Sequence, residues 1–138
     1  MNLRGLFAIL GGIFFTYVGV LHFTDTSWFE PIVPPILGSP TFWVLASGVV
    51  EIAVGISLIL PKTRELGGYS SAILLVALYP ANLYMWMYDV ELGDGASLSP
   101  TGHIIRLFAQ IAGIMVSLWI AGWKPGVRPS LDLLNGGM

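Results

Sequence analysis

Residues Thr101–Trp123 read TGHIIRLFAQIAGIMVSLWIAGW, a hydrophobic run of helix length that nonetheless carries His103, Arg106 and Gln110. With Gly113 and Ser117 these three fall at steps of three, four, three and four, so one face of a single helix holds the polar and small residues. The other positions, among them Ile104, Ile105, Phe108, Ile111, Met115 and Trp119, are almost all apolar. A soluble helix turns such a polar face to water. A membrane helix turns it to its neighbours.

Composition agrees with lipid as the solvent. Of 138 residues, 55% are hydrophobic and 10% charged, whereas soluble domains carry roughly 25% charged residues. The formal charge of -2 and the lack of basic clusters argue against nucleic acid. The chain has no cysteine, which removes disulfides, Cys-bound zinc, iron–sulfur clusters and thiol exchange from its own chemistry. Two histidines far apart in sequence offer little to a metal.

Three further runs have membrane length. Gly5–Phe23, about 19 residues, is close to the roughly 20 that cross a hydrocarbon core. It is longer than the roughly 7–15 apolar residues of a signal peptide, and no A-x-A-like cleavage site follows it. Gly12, Thr16, Gly19 and His22 share one of its faces. Thr24–Pro40 holds four prolines and reads as an ordered loop or short interfacial element. Ser39-Pro40 then opens a second span, 40–60, with an N-cap and a proline at the first helical position. Its Glu51 lies on one face with Gly48 and Gly55. The basic turn 61–68 is short enough to make the second and third spans antiparallel neighbours. Span three, 69–88, contains Pro80, which frees the carbonyl of Val76 and predicts a kink, and Asn82. Tyr84–Tyr88 reads as an interfacial belt. Ser99-Pro100-Thr101 repeats Ser39-Pro40-Thr41 and hints at a duplicated hairpin, although the halves otherwise align poorly. Residues 124–138 form a polar tail. The expectation is an all-α transmembrane four-helix bundle running up-down-up-down, with spans at about 5–23, 40–60, 69–88 and 101–123.

Arg4, Lys62, Arg64, Lys124 and Arg128 fall at one end of these spans, and the two loops at the other end hold Asp25, Glu30, Asp89, Glu91 and Asp94 and no Lys or Arg. The positive-inside rule then places both termini in the cytoplasm. At about 1.5 Å per residue, Glu51 lies roughly 16 Å deep and Gln110 within a turn of its level. His22, Asn82 and Arg106 come into the outer half. A lone charge at the bilayer centre costs at least about 2.5–3.5 kcal/mol, so Glu51 and Arg106 are expected to pair, with His22, Asn82 and Gln110 completing the hydrogen bonds. Such a cluster is either structural glue or a ligand pocket built from the same groups. His103, at the helix start, reads as interfacial with a lesser claim to a ligand, and the Met85, Trp86, Met87 cluster reads as interface packing.

Gly19-x-x-His22-Phe23, Ile32-Val33-Pro34-Pro35, Ser47-Gly48-Val49-x-Glu51-Ile52 with Gly55, Pro80-Ala81-Asn82 with Met85, and Arg106 with Gln110 together resemble the DoxX-like family of small four-helix membrane proteins. The likeness runs from Arg4 to Trp123. It implies an inner-membrane bundle, and members include a subunit associated with quinone-linked sulfur oxidation, while distant relatives are assembly chaperones or sterol-like ligand binders. Relatives that work beside thiol-redox partners are a poor guide to a chain without cysteine. The leading expectation is therefore a protein that binds a lipophilic small molecule, a quinone being the candidate cofactor, among His22, Glu51, Asn82, Arg106 and Gln110. It would act with a membrane or periplasmic redox partner, since no redox centre is encoded, and so be at most a subunit of a quinone-linked oxidoreductase. The alternative is a non-enzymatic assembly, chaperone or stabilising subunit. Four short helices bury only a small polar core, which is compatible with an oligomer.

Overall fold

The computed structural model describes residues 2–123; the tail 124–138 lies outside them. The protein is an all-α bundle of four long apolar helices, α1 (Leu3–Thr24), α3 (Pro40–Ile59), α4 (Arg64–Tyr88) and α5 (Pro100–Ala121), with a single helical turn, α2 (Thr26–Phe29), between the first two. Each long helix has the length and composition to cross a membrane.

The helix ends follow from their capping chemistry. Asn2 Oδ1 accepts from the Gly5 amide at 2.7 Å, Ser39 Oγ from Phe42 at 3.3 Å and Ser99 Oγ from Gly102 at 3.1 Å. Each satisfies a donor that the first turn would otherwise leave without a partner. Both Ser-Pro starts are thus true caps. Helix α5 stops at Ala121 because Gly122 adopts φ 80 and Trp123 returns its amide to the Leu118 carbonyl at 3.0 Å. Helix α4 begins at Arg64, five residues before the third apolar run. The turn 61–68 contributes only a short 3-10 segment, Pro61–Thr63, because Arg64 reaches back to the Leu58 and Ile59 carbonyls at 3.0 and 2.9 Å and ties the two helices at their junction. Helix α4 then continues unbroken through Pro80.

Helices α1 and α3 make the most extensive contact, and glycine is the reason. Gly12 faces Gly55 and Gly19 faces Gly48, so the two helices run in opposite senses; a Cβ on Gly12 would stand 2.5 Å from the Gly55 carbonyl oxygen. Such backbone approach maximises dispersion contact where lipid removes the hydrophobic drive between helices. Helices α4 and α5 form the second close pair. Ala8, Phe15, Val54, Leu58, Leu74 and Ile120 make the core between the pairs. Outside, Ile105, Phe108 and Met115 are 62%, 67% and 66% exposed, an apolar surface too extensive for water but suited to acyl chains.

Candidate functional site

Each polar residue reaches the interior by a local rule. The stripe on α5 lies inward as its spacing predicts, with His103 and Ser117 buried and Arg106, Gln110 and Gly113 half-buried. On α1, His22 follows the glycine face and is buried; on α3, Glu51 lies between the buried Gly48 and Gly55 and is 3% exposed. His22 can approach so closely because Gly48 has no side chain: a Cβ there would lie 2.8 Å from the His22 Cβ.

His22, Glu51, Asn82, Arg106 and Gln110 all line one cavity of about 560 Å³, within the roughly 300–1,000 Å³ of small-molecule sites. Its two polar walls are separate. On the α1/α3 side, His22 Nδ1 lies 3.2 Å from Glu51 Oε2, but the same nitrogen is 2.7 Å from the Val18 carbonyl. One ring N–H serves one acceptor well, and the Val18 carbonyl holds it. Among the described residues, Glu51 Oε2 is consequently buried without a hydrogen-bond donor.

On the α4/α5 side, Arg106 donates to Asn82 Oδ1 and, at 3.0 Å, to Met85 Sδ. Gln110 donates from Nε2 to the Leu75 carbonyl on α4. The expected Glu51–Arg106 pair does not form: among the described residues the ion-pair contact is His22 with Glu51. The glycine-mediated approach of α1 brings His22 to Glu51, while Arg106 spends its reach on its own packing partner, α4. The cavity lies between them. Met85, read as part of an interfacial belt, is instead 1% exposed at the Arg106 guanidinium, whereas Met87 and Tyr88 are each 66% exposed. His103, read as interfacial, is buried; its ring stacks on Trp86 at 5.6 Å and 7°, and it stands outside the cavity lining.

The sequence did not disclose the roof. Phe29, on the short α2, stacks on the His22 ring at 4.1 Å and 13°, with Trp28 edge-on to it at 4.8 Å. The Trp28 carbonyl accepts the Gly93 amide at 3.0 Å, which ties the proline-rich segment to the loop before α5. Trp43 Nε1 holds the Leu37 carbonyl at 2.7 Å and Thr41 Oγ1 donates to Glu30 Oε1 at 3.0 Å. Residues of both segments, including Trp28, Phe29, Val33 and Leu98, line the cavity. The only sequence signal for this was an aromatic pair six and seven residues after His22, inside a segment whose prolines forbid a long helix.

A bundle of four membrane-length helices around a cavity with two polar walls defines a small multi-pass membrane protein. The chain belongs to the family described as Domain of unknown function (DUF8561), which matches residues 10–121. No curated protein matches the chain. No solved structure matches it.

Proposed function

We propose that the protein binds a lipophilic small molecule in this cavity, a quinone being one candidate, and holds it for a redox partner in or beside the membrane. The observation that carries this reading is Glu51, whose Oε2 is buried without a donor among the described residues, in the wall of a cavity of about 560 Å³. An unsatisfied buried polar atom is costly, and a group serving only as glue would be satisfied by its neighbours. Most of the remaining lining is apolar or aromatic, with Phe14, Phe15, Trp28, Phe29 and Trp43 among it, as a lipophile with a polar head requires. Arg106 and the Asn82 amide are suited to hydrogen-bond a carbonyl, and His22 and Glu51 to hold a proton. Electrons for a bound quinone would come from the partner.

The same reading places the chain in an inner membrane with both termini cytoplasmic, on the strength of the basic residues at one end of the spans. Kinship with DoxX-like proteins is part of the proposal and rests on the motifs around His22, Glu51, Asn82 and Arg106. Purification in mild detergent followed by mass spectrometry of extracted lipids tests the reading. One lipophile enriched at a constant ratio to protein, and lost from Arg106→Gln, is the expected result. A lipid profile equal to that of the bulk membrane would favour the assembly-subunit alternative.

A further inference from the structure

The polar groups of the cavity divide into those already satisfied and those that are not, and the division describes the ligand. Ser47 Oγ is committed to the Val44 carbonyl at 3.0 Å and Trp43 Nε1 to the Leu37 carbonyl. Neither has a donor left for a ligand. On the α1/α3 wall, Glu51 lines the cavity and its Oε2 is a buried acceptor that no donor among the described residues reaches. On the α4/α5 wall, Arg106 lines the cavity and meets an amide oxygen and a thioether but, among the described residues, no carboxylate, so its positive charge has no counter-ion there. Glu51, Arg106 and His22 are the ionisable groups of the lining. With Glu51 ionised and His22 neutral, the formal charges of Glu51 and Arg106 cancel, and a neutral guest keeps that balance. A cationic guest would satisfy Glu51 but add to the uncompensated charge of Arg106; an anionic guest would do the reverse.

We infer that the ligand is a neutral, ring-bearing lipophile with two polar functions, a hydroxyl that donates to Glu51 and a carbonyl-type acceptor that takes Arg106. The aromatic side chains of the lining favour the ring, and the membrane setting the apolar tail. This assignment rests on the cavity being a ligand site and adds the chemistry of that ligand. It also narrows the candidates: a simple quinone carries carbonyls but no hydroxyl donor, so the ligand is a lipophile that adds a hydroxyl, and it binds whether or not it can be oxidised.

The test uses the full-length protein in mild detergent, stripped of lipid, and three redox-inert probes with matched chains: decyl 4-hydroxybenzoate, decyl benzoate, which lacks the hydroxyl, and 4-decylphenol, which lacks the carbonyl. Calorimetric titration should show the hydroxybenzoate binding at least about tenfold more tightly than either, a ratio equivalent to about 1.4 kcal/mol. Glu51→Met should erase the advantage over decyl benzoate and keep the advantage over decylphenol. Arg106→Gln should do the opposite. Retained binding of decyl benzoate by Glu51→Met reports that its cavity is intact; if that variant does not fold, the wild-type ratios decide. Equal affinity of the wild-type protein for hydroxybenzoate and benzoate would overturn the ligand class and leave the cavity as a lipophile site. Failure of all three probes, together with no enriched lipophile in the extracted lipids, would overturn both.

Discussion

Two adjacent glycines on α1 allow the helix packing to be tested with one kind of substitution. A Cβ at Gly12 would meet the Gly55 carbonyl oxygen at 2.5 Å and the Ile59 amide at 3.2 Å. These are backbone atoms of α3, which cannot turn aside as a side chain can, so Gly12→Ala must push the helices apart. Overpacking of this kind costs about 1–3 kcal/mol, and separation also loses dispersion contacts along the interface. A Cβ at Gly11 would find only Leu58 Cδ1, at 3.8 Å, an ordinary contact. Gly11→Ala therefore keeps its gain in helix propensity, about 0.8–1 kcal/mol in water, and should be neutral to stabilising. Thermal unfolding of both variants in one detergent, followed by helical circular dichroism, should place Gly12→Ala below and Gly11→Ala at or above the unmodified protein. Equal shifts for the two would refute close α1–α3 packing through glycine.

Two other predictions follow from the polar walls and the charge pattern. In double-mutant cycles of detergent stability, His22→Ala and Glu51→Gln should couple by about 0.5–3 kcal/mol because the side chains meet. Glu51→Gln and Arg106→Gln should couple more weakly than that pair; coupling stronger than that of His22 with Glu51 would restore the direct ion pair that the geometry denies. In this cysteine-free chain, a membrane-impermeant maleimide applied to intact cells should label Asp94→Cys and spare Lys62→Cys. The reverse pattern would invert the proposed orientation.

Periodicity made much of the architecture legible. The three-four spacing of His103, Arg106, Gln110, Gly113 and Ser117 located the inward face of α5, and Gly48, Glu51 and Gly55 located that of α3. Depth along a span followed from residue count, and it placed His22, Glu51, Asn82, Arg106 and Gln110 close enough in level to share a cavity. Depth alone does not say which neighbour a side chain meets. That depends on how far each pair of helices closes, and the α1–α3 approach gave Glu51 to His22 rather than to Arg106. His103 shows the same limit: its position in the first turn of α5 suggested the interface, but the facing Trp86 buries it. The roof was hidden for another reason. Trp28, Phe29 and the loop near Gly93 are distant in sequence and joined by a backbone hydrogen bond, which leaves no pattern in residue type.

In the proposed function a lipophile occupies the interior cavity and not merely the outer surface of the bundle. Photolabelling of the protein in vesicles with a decyl-substituted benzophenone, followed by peptide mapping, tests it most directly. Saturable labelling of cavity-lining residues such as Phe15, Phe29 and Met85, suppressed by excess decyl 4-hydroxybenzoate, is the predicted result. Labelling confined to lipid-facing residues such as Ile105, Phe108 and Met115, rising linearly with probe and indifferent to competitor, would contradict it.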